Sequence, residues 1–225
     1  MKTKNLFHSV TAVSLITLMQ ALDSSAQQDR FYMKADAGVV AAKDVALEEF
    51  LGPVPADAKL SLDPGVRLGF RAGYGFTDWF AGEIETGIIA NKIDDISGGT
   101  ATEVNGTFAK IPLMLNGRIN LPNKYRVAPY LGAGAGVAST ILTANDIVVS
   151  GRGMNGSVTD VVFVWQAFAG LRIALGEKTA LNIGYHYLNA APSDMRTEDS
   201  LPTGDRIRLG RSETHAITVG FEWSF

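Results

Sequence analysis

The sequence predicts an all-β fold, an eight-stranded antiparallel up-and-down transmembrane β-barrel. Three observations predict it. Stretches of ten or more residues alternate apolar with small or polar side chains, the period of two that a strand imposes. The connections between them run long, short, long, short, long, short, long. Ionised side chains fall on one face of the strands and are missing from the other.

The first strand, 30–41, sets Phe31, Met33, Ala35, Ala37 and Val39 against Tyr32, Lys34, Asp36 and Gly38. A loop over 42–62 with Pro53 and Pro55 leads to the second, 65–76. There Val66, Leu68, Phe70, Ala72, Tyr74 and Phe76 oppose Gly65, Arg67, Gly69, Arg71, Gly73 and Gly75. A turn at Thr77-Asp78 opens the third, 79–90, with Ile84, Thr86 and Ile88 against Glu83 and Glu85. A loop through Asp94, Asp95, Gly98 and Gly99 precedes the fourth, 107–121, where Lys110, Pro112, Asn116 and Arg118 share a face. The turn Pro122-Asn123-Lys124 gives the fifth, 126–141, and a polar loop over 143–157 the sixth, 159–175. The sixth is apolar on both faces from Val161 to Trp165, and lower down carries Gln166, Phe168 and Arg172 on one face. Gly176-Glu177-Lys178 turns into the seventh, 179–189, and a charged loop over 190–212 precedes the eighth, 216–225. That last strand sets Ile217, Val219, Phe221, Trp223 and Phe225 against Thr218, Gly220, Glu222 and Ser224. Pro112 and Pro129 lack a donor, and the expectation is that each marks a bulge or a strand end.

Composition narrows the function classes. The net charge of −3 implies no nucleic-acid partner. The absence of cysteine excludes disulfides, thiolate zinc sites and cysteine nucleophiles. The start has the form of a Sec export signal: Lys2 and Lys4, an apolar run over 10–19, then Ser24-Ser25-Ala26 for cleavage. Residues 1–26 are thus expected to be a cleaved signal peptide and 27–225 the barrel domain. No later stretch is apolar enough for a helical span, so a membrane location requires a closed barrel.

The faces decide which side meets lipid. A narrow eight-stranded barrel has room inside for little more than its own side chains. The glycine-rich charged face fits that interior, and the bulky apolar face fits lipid, where one Arg or Lys at mid-depth costs about 2–4 kcal/mol. Arg67, Arg71, Glu83, Glu85, Lys110, Arg118, Arg172 and Glu222 are therefore expected to form a lumen charge network, with Lys34 and Asp36 on the same face. His215 is the only titratable imidazole on the outer face, and His186 falls on the lumen phase. No catalytic, metal or cofactor site is expected: His186 is followed by Tyr187 and Leu188, not by a serine two residues on, and the glycine-rich stretches lie inside strands. Asp94, Asp95, Glu198, Asp199, Asp205 and Arg206 read as solvated loop charges.

On Lys110-Ile111-Pro112-Leu113-Met114-Leu115-Asn116 and 128–136, with the ending Phe221-Glu222-Trp223-Ser224-Phe225, the chain resembles the small eight-stranded outer-membrane β-barrel proteins, of opacity type and with OmpA-like barrel domains. The resemblance implies residence in a Gram-negative outer membrane among outer-membrane lipid. It implies that Phe221, Trp223 and Phe225 signal to the barrel-assembly machinery. The expected role is structural or in surface interaction, through four long extracellular loops and an unidentified ligand or surface partner. The alternatives are a narrow porin-like channel and an outer-membrane lipid-modifying enzyme.

Overall fold

The structure is a computed structural model that describes residues 30–98, 101–121, 126–196 and 206–225; the expected signal peptide and the loop charges Glu198, Asp199 and Asp205 lie outside them. Eight long strands are β1 (Phe31–Ala42), β4 (Gly65–Gly75), β5 (Phe80–Ser97), β7 (Gly106–Asn120), β8 (Val127–Val149), β9 (Arg152–Ala174), β10 (Thr179–Ala190) and β13 (Ser212–Ser224). Five short ones come from the long connections: β2 (Val45–Phe50), β3 (Lys59–Leu62), β6 (Ala101–Glu103), β11 (Ser193–Arg196) and β12 (Arg206–Leu209).

The long strands close on themselves. All pair antiparallel, β1 with β4, then β5, β7, β8, β9, β10 and β13, and β13 pairs back with β1. Partners traced once round from Tyr32 pass through Gly73, Glu83, Asn116, Gly134, Gln166, Leu188 and Thr214 and return to β1 at Ala42. The stagger is the difference between 32 and 42, ten residues. With a rise of about 3.3 Å per residue and strands about 4.8 Å apart, that stagger tilts the strands by about 40° and sets a backbone radius of about 8 Å. So narrow a cylinder holds side chains and no wide pore.

The outer skin is apolar. Leu68, Phe70, Ile84, Leu113, Leu115, Val137, Phe163, Ile217 and Val219 are all exposed. Phe76, Trp79, Trp223 and Phe225 are exposed at the short-turn end, with Phe31 against Phe225 and Phe76 against Phe80. Further up, Trp165 meets Tyr187 and Tyr187 meets His215. These are the aromatic girdles of a barrel seated in lipid, whose short turns face the periplasm.

Five expectations need correction, the first being that the charged connection 190–212 is a plain loop, since it holds β11 and β12 paired with each other. The connection 42–62 is not a plain loop, because Val45, Leu47 and Leu60 alternate inward and pair β2 with β3. The connection 143–157 is a continuation of β8 and β9, paired up to Val149 and Arg152 around a turn with positive φ at Ser150 and Gly151. β5 runs through Asp94 and Asp95 to Ser97 because β3 pairs with it there. Pro112 makes neither bulge nor strand end: the β5–β7 register is the same on either side, and the ladder simply skips Gly87 and Ile88 opposite. Pro129 does lie near a strand end, two residues into β8.

The extensions carry a second core above the lipid. Val45, Leu47, Phe50, Leu60, Ile93, Phe108, Leu142, Met154, Met195, Ile207 and Leu209 are buried together. Below it an apolar belt of Val40, Ile89, Met114, Ala138, Val162, Val164 and Leu188 crosses the lumen. That belt explains why the sixth strand is apolar on both faces: Val162 and Val164 point into it while Val161, Phe163 and Trp165 face lipid.

Candidate functional site in the lumen and at its rims

Alternation on β4 and β5 builds the lumen plug. Their register sets Arg71 opposite Glu85, both inward. Glu85 is the hub. Its carboxylate accepts from Arg67 Nη2, from Arg71 Nε at 2.8 Å, from Asn116 Nδ2 at 2.7 Å and from Gln166 Nε2. Asp36 of β1 lies 3.6 Å from Arg67 and 3.4 Å from Arg71. Small residues make the room: a Cβ on Gly134 would meet Asn116 Oδ1 at 1.9 Å, and one on Gly73 would meet the Tyr32 ring at 2.2 Å.

A second group lies nearer the short turns. Glu222 of β13 takes hydrogen bonds from Arg118 at 2.9 Å and Arg172 at 2.6 Å. Glu83 lies 3.2 Å from Arg118 and accepts the Tyr32 hydroxyl at 2.7 Å. Arg71 bridges the groups, 4.0 Å from Glu83. Buried ion pairs in so narrow a space need such mutual satisfaction, because an unpaired charge out of water is costly.

Lys110 stands apart from both groups. Fully buried higher in the barrel, it donates to Ser212 Oγ at 2.6 Å and Thr214 Oγ1 at 3.1 Å and lies over the Phe108 ring. Lys34 likewise reaches the Tyr130 hydroxyl at 3.3 Å rather than a carboxylate. His186 is buried, stacked on Phe168, with Nδ1 3.5 Å from Arg71. His215 faces outward, bonded to the Tyr185 hydroxyl at 2.7 Å. At the outer rim Lys43 donates to Glu213 at 2.6 Å, and that carboxylate holds the ammonium above the ordinary lysine range. Phe221 and Trp223 pack 4.5 Å apart, and the Phe225 amide bonds Phe31. Among the described residues no three His, Asp or Glu side chains gather as for a metal ion.

Sequence reasoning did not find Tyr32, Gln166 and Asn116 as plug members, nor the salt-bridged outer patch of Glu49, Asp194, Arg206 and Arg208. Parity alone would have put the first three on the lumen face; the patch needed β2, β11 and β12 to be recognised as strands.

The chain matches the outer membrane protein β-barrel domain family over residues 9–225. It is similar in structure to OprG from Pseudomonas aeruginosa, with a TM-score of 0.59 and 15% identity over 88% of this chain and 97% of that one. It is also similar to Neisserial surface protein A, with a TM-score of 0.55 and 16% identity over 87% and 97% of the two chains. Identities this low speak to the fold alone. No curated protein sequence matches.

Proposed function

The chain belongs to the outer membrane protein β-barrel domain family, and on that premise we propose that it is a closed, non-conducting barrel with a structural or surface-interaction role. One observation carries this reading: the lumen is filled along its height. The ion-paired groups around Glu85 and Glu222 occupy the lower half, the apolar belt lies above them, and the second core tops both. Such an interior leaves no path for water or ions from one end of the barrel to the other. The part left to meet partners is the extracellular sheet of β2, β3, β11 and β12, with Glu49, Asp194, Arg206 and Arg208 partly exposed on it. On this reading the chain is not an enzyme. Residues 1–26 are removed on export, and the outward row of Phe221, Trp223 and Phe225 is read by the barrel-assembly machinery.

Planar-bilayer recording of the refolded protein tests the proposal. The expected record is flat, without discrete steps. Steady unit conductance would overturn the closed lumen and favour the narrow channel. Unchanged lipid A mass spectra with and without the protein are expected; a new lipid A species would make it an enzyme.

A further inference from the structure

The short-turn mouth of the barrel holds arginines beyond those that the plug uses. A cavity of about 360 Å³ opens there, and four guanidinium groups line it: Arg30, Arg118, Arg126 and Arg172. Only two carboxylates join them, Asp78 and Glu222. Among the described lining residues four positive groups stand against two negative ones, in a chain whose net charge is −3, and Arg118 also pairs with Glu83 below. Basic composition therefore does not explain it. Glu222 is already taken by Arg118 and Arg172.

Strand parity holds these arginines away from lipid. Arg30 shares the phase of Tyr32, and Arg126 that of Ala128 and Tyr130, so both belong to the lumen face. The opposite phase at this level carries Val127, Trp223 and Phe225, which are exposed to the membrane. One buried donor of a lining residue, Arg118 Nε, lacks a protein partner. A water-accessible concavity with surplus guanidinium groups and one unpartnered donor, Arg118 Nε, suits an oxyanion, since the planar fork of arginine matches carboxylate and phosphate oxygens in pairs. Its size is that of a small-molecule site.

We propose that this mouth is a binding site for a small phosphate- or carboxylate-bearing solute that enters from the periplasmic side. The plug forms its floor, so the solute binds and leaves by the same opening. Free solute and lipid headgroup share this chemistry, and the test separates them.

The full-length mature barrel is refolded in maltoside micelles, which carry no phosphate, and titrated calorimetrically with inorganic phosphate and with citrate at constant ionic strength. One saturable site per barrel is expected for at least one of the two. The double variant Arg30→Gln/Arg126→Gln should weaken it at least tenfold, and Arg152→Gln, at the far end, should leave it unchanged. Heat-modifiable gel mobility establishes folding of each variant; Arg126→Gln alone keeps the comparison if the double variant does not fold. Absence of saturable binding to either anion overturns the site, as does equal affinity in the arginine variants. Binding in micelles that vanishes in phosphatidylglycerol nanodiscs assigns the arginines to headgroups and overturns the free-solute reading.

Discussion

Glu85 accepts hydrogen bonds from four side chains on three strands, the neighbouring β4 and β7 and the more distant β9, with two guanidinium groups among them. Replacing it by alanine strands Arg67 and Arg71 out of water, and losing one partner of a buried pair costs about 3–5 kcal/mol. Glu85→Ala should lower the unfolding free energy from urea titration of the refolded barrel by that amount and its midpoint in proportion, while Glu85→Gln, which keeps an acceptor oxygen, should lose less. Equal midpoints for wild type and Glu85→Ala would remove the hub from the account. Gly134 offers a second test at this scale. A side chain there meets the Asn116 amide oxygen and the Leu115 carbonyl, so Gly134→Val should sharply reduce the refolded fraction on a heat-modifiability gel. The charged members of the plug are legible in the sequence because each falls on the lumen phase. Their pairing is not: Lys110 shares that phase yet bonds two hydroxyls, because its height on β7 puts it beside Ser212 and Thr214 and far from the carboxylates. Parity fixes the face of a residue, whereas its height depends on the stagger of all eight strands.

Within β5 one strand changes its chemistry halfway along. Its inward face runs Glu83 and Glu85, then Ile89 and Ile93, while its outward face runs Ile84 and Ile88, then Lys92 and Asp94. The exchange marks the lipid surface. Below it the surroundings are apolar and the interior can be polar; above it water lies outside and the interior must be the oily side. A reading that asks each strand for one constant apolar face ends the strand where the faces swap, which is why 91–97 and 143–157 read as loops. The short alternations Val45-Ala46-Leu47 and Arg206-Ile207-Arg208-Leu209 carried the missing signal, muted by their length and flanking charges. The two halves should respond separately to mutation. Ile207 is wholly buried in the upper core, and Ile207→Ala should cost about 2–5 kcal/mol there. Its expected signature is faster proteolysis of the β11–β12–β2 region with barrel mobility on gels unchanged. Phe70, at the middle of β4 and 57% exposed, belongs to the lipid half. Phe70→Arg should cost about 2–4 kcal/mol in vesicle refolding, and Trp79→Arg at the turn about 0–1 kcal/mol.

Across the whole molecule, a closed ring of eight strands staggered by ten residues fixes the tilt at about 40°, which polarised infrared spectra of oriented bilayers can read. Ring closure leaves no unpaired edge in lipid, and even Pro112 is absorbed by a gap in one ladder while its other side pairs with Ala138. The alternation of long and short connections and the restriction of charge to one face made this architecture readable before any coordinate was known. The most direct test of the central partition uses the absence of cysteine. Single cysteines placed in turn from Val66 to Gly75 are labelled with a nitroxide in bilayers, and their accessibility to oxygen and to a water-soluble nickel chelate is measured. Oxygen accessibility is expected to peak at 66, 68, 70, 72 and 74 and to fall at 67, 69, 71, 73 and 75. The opposite phase, or no alternation, would contradict it.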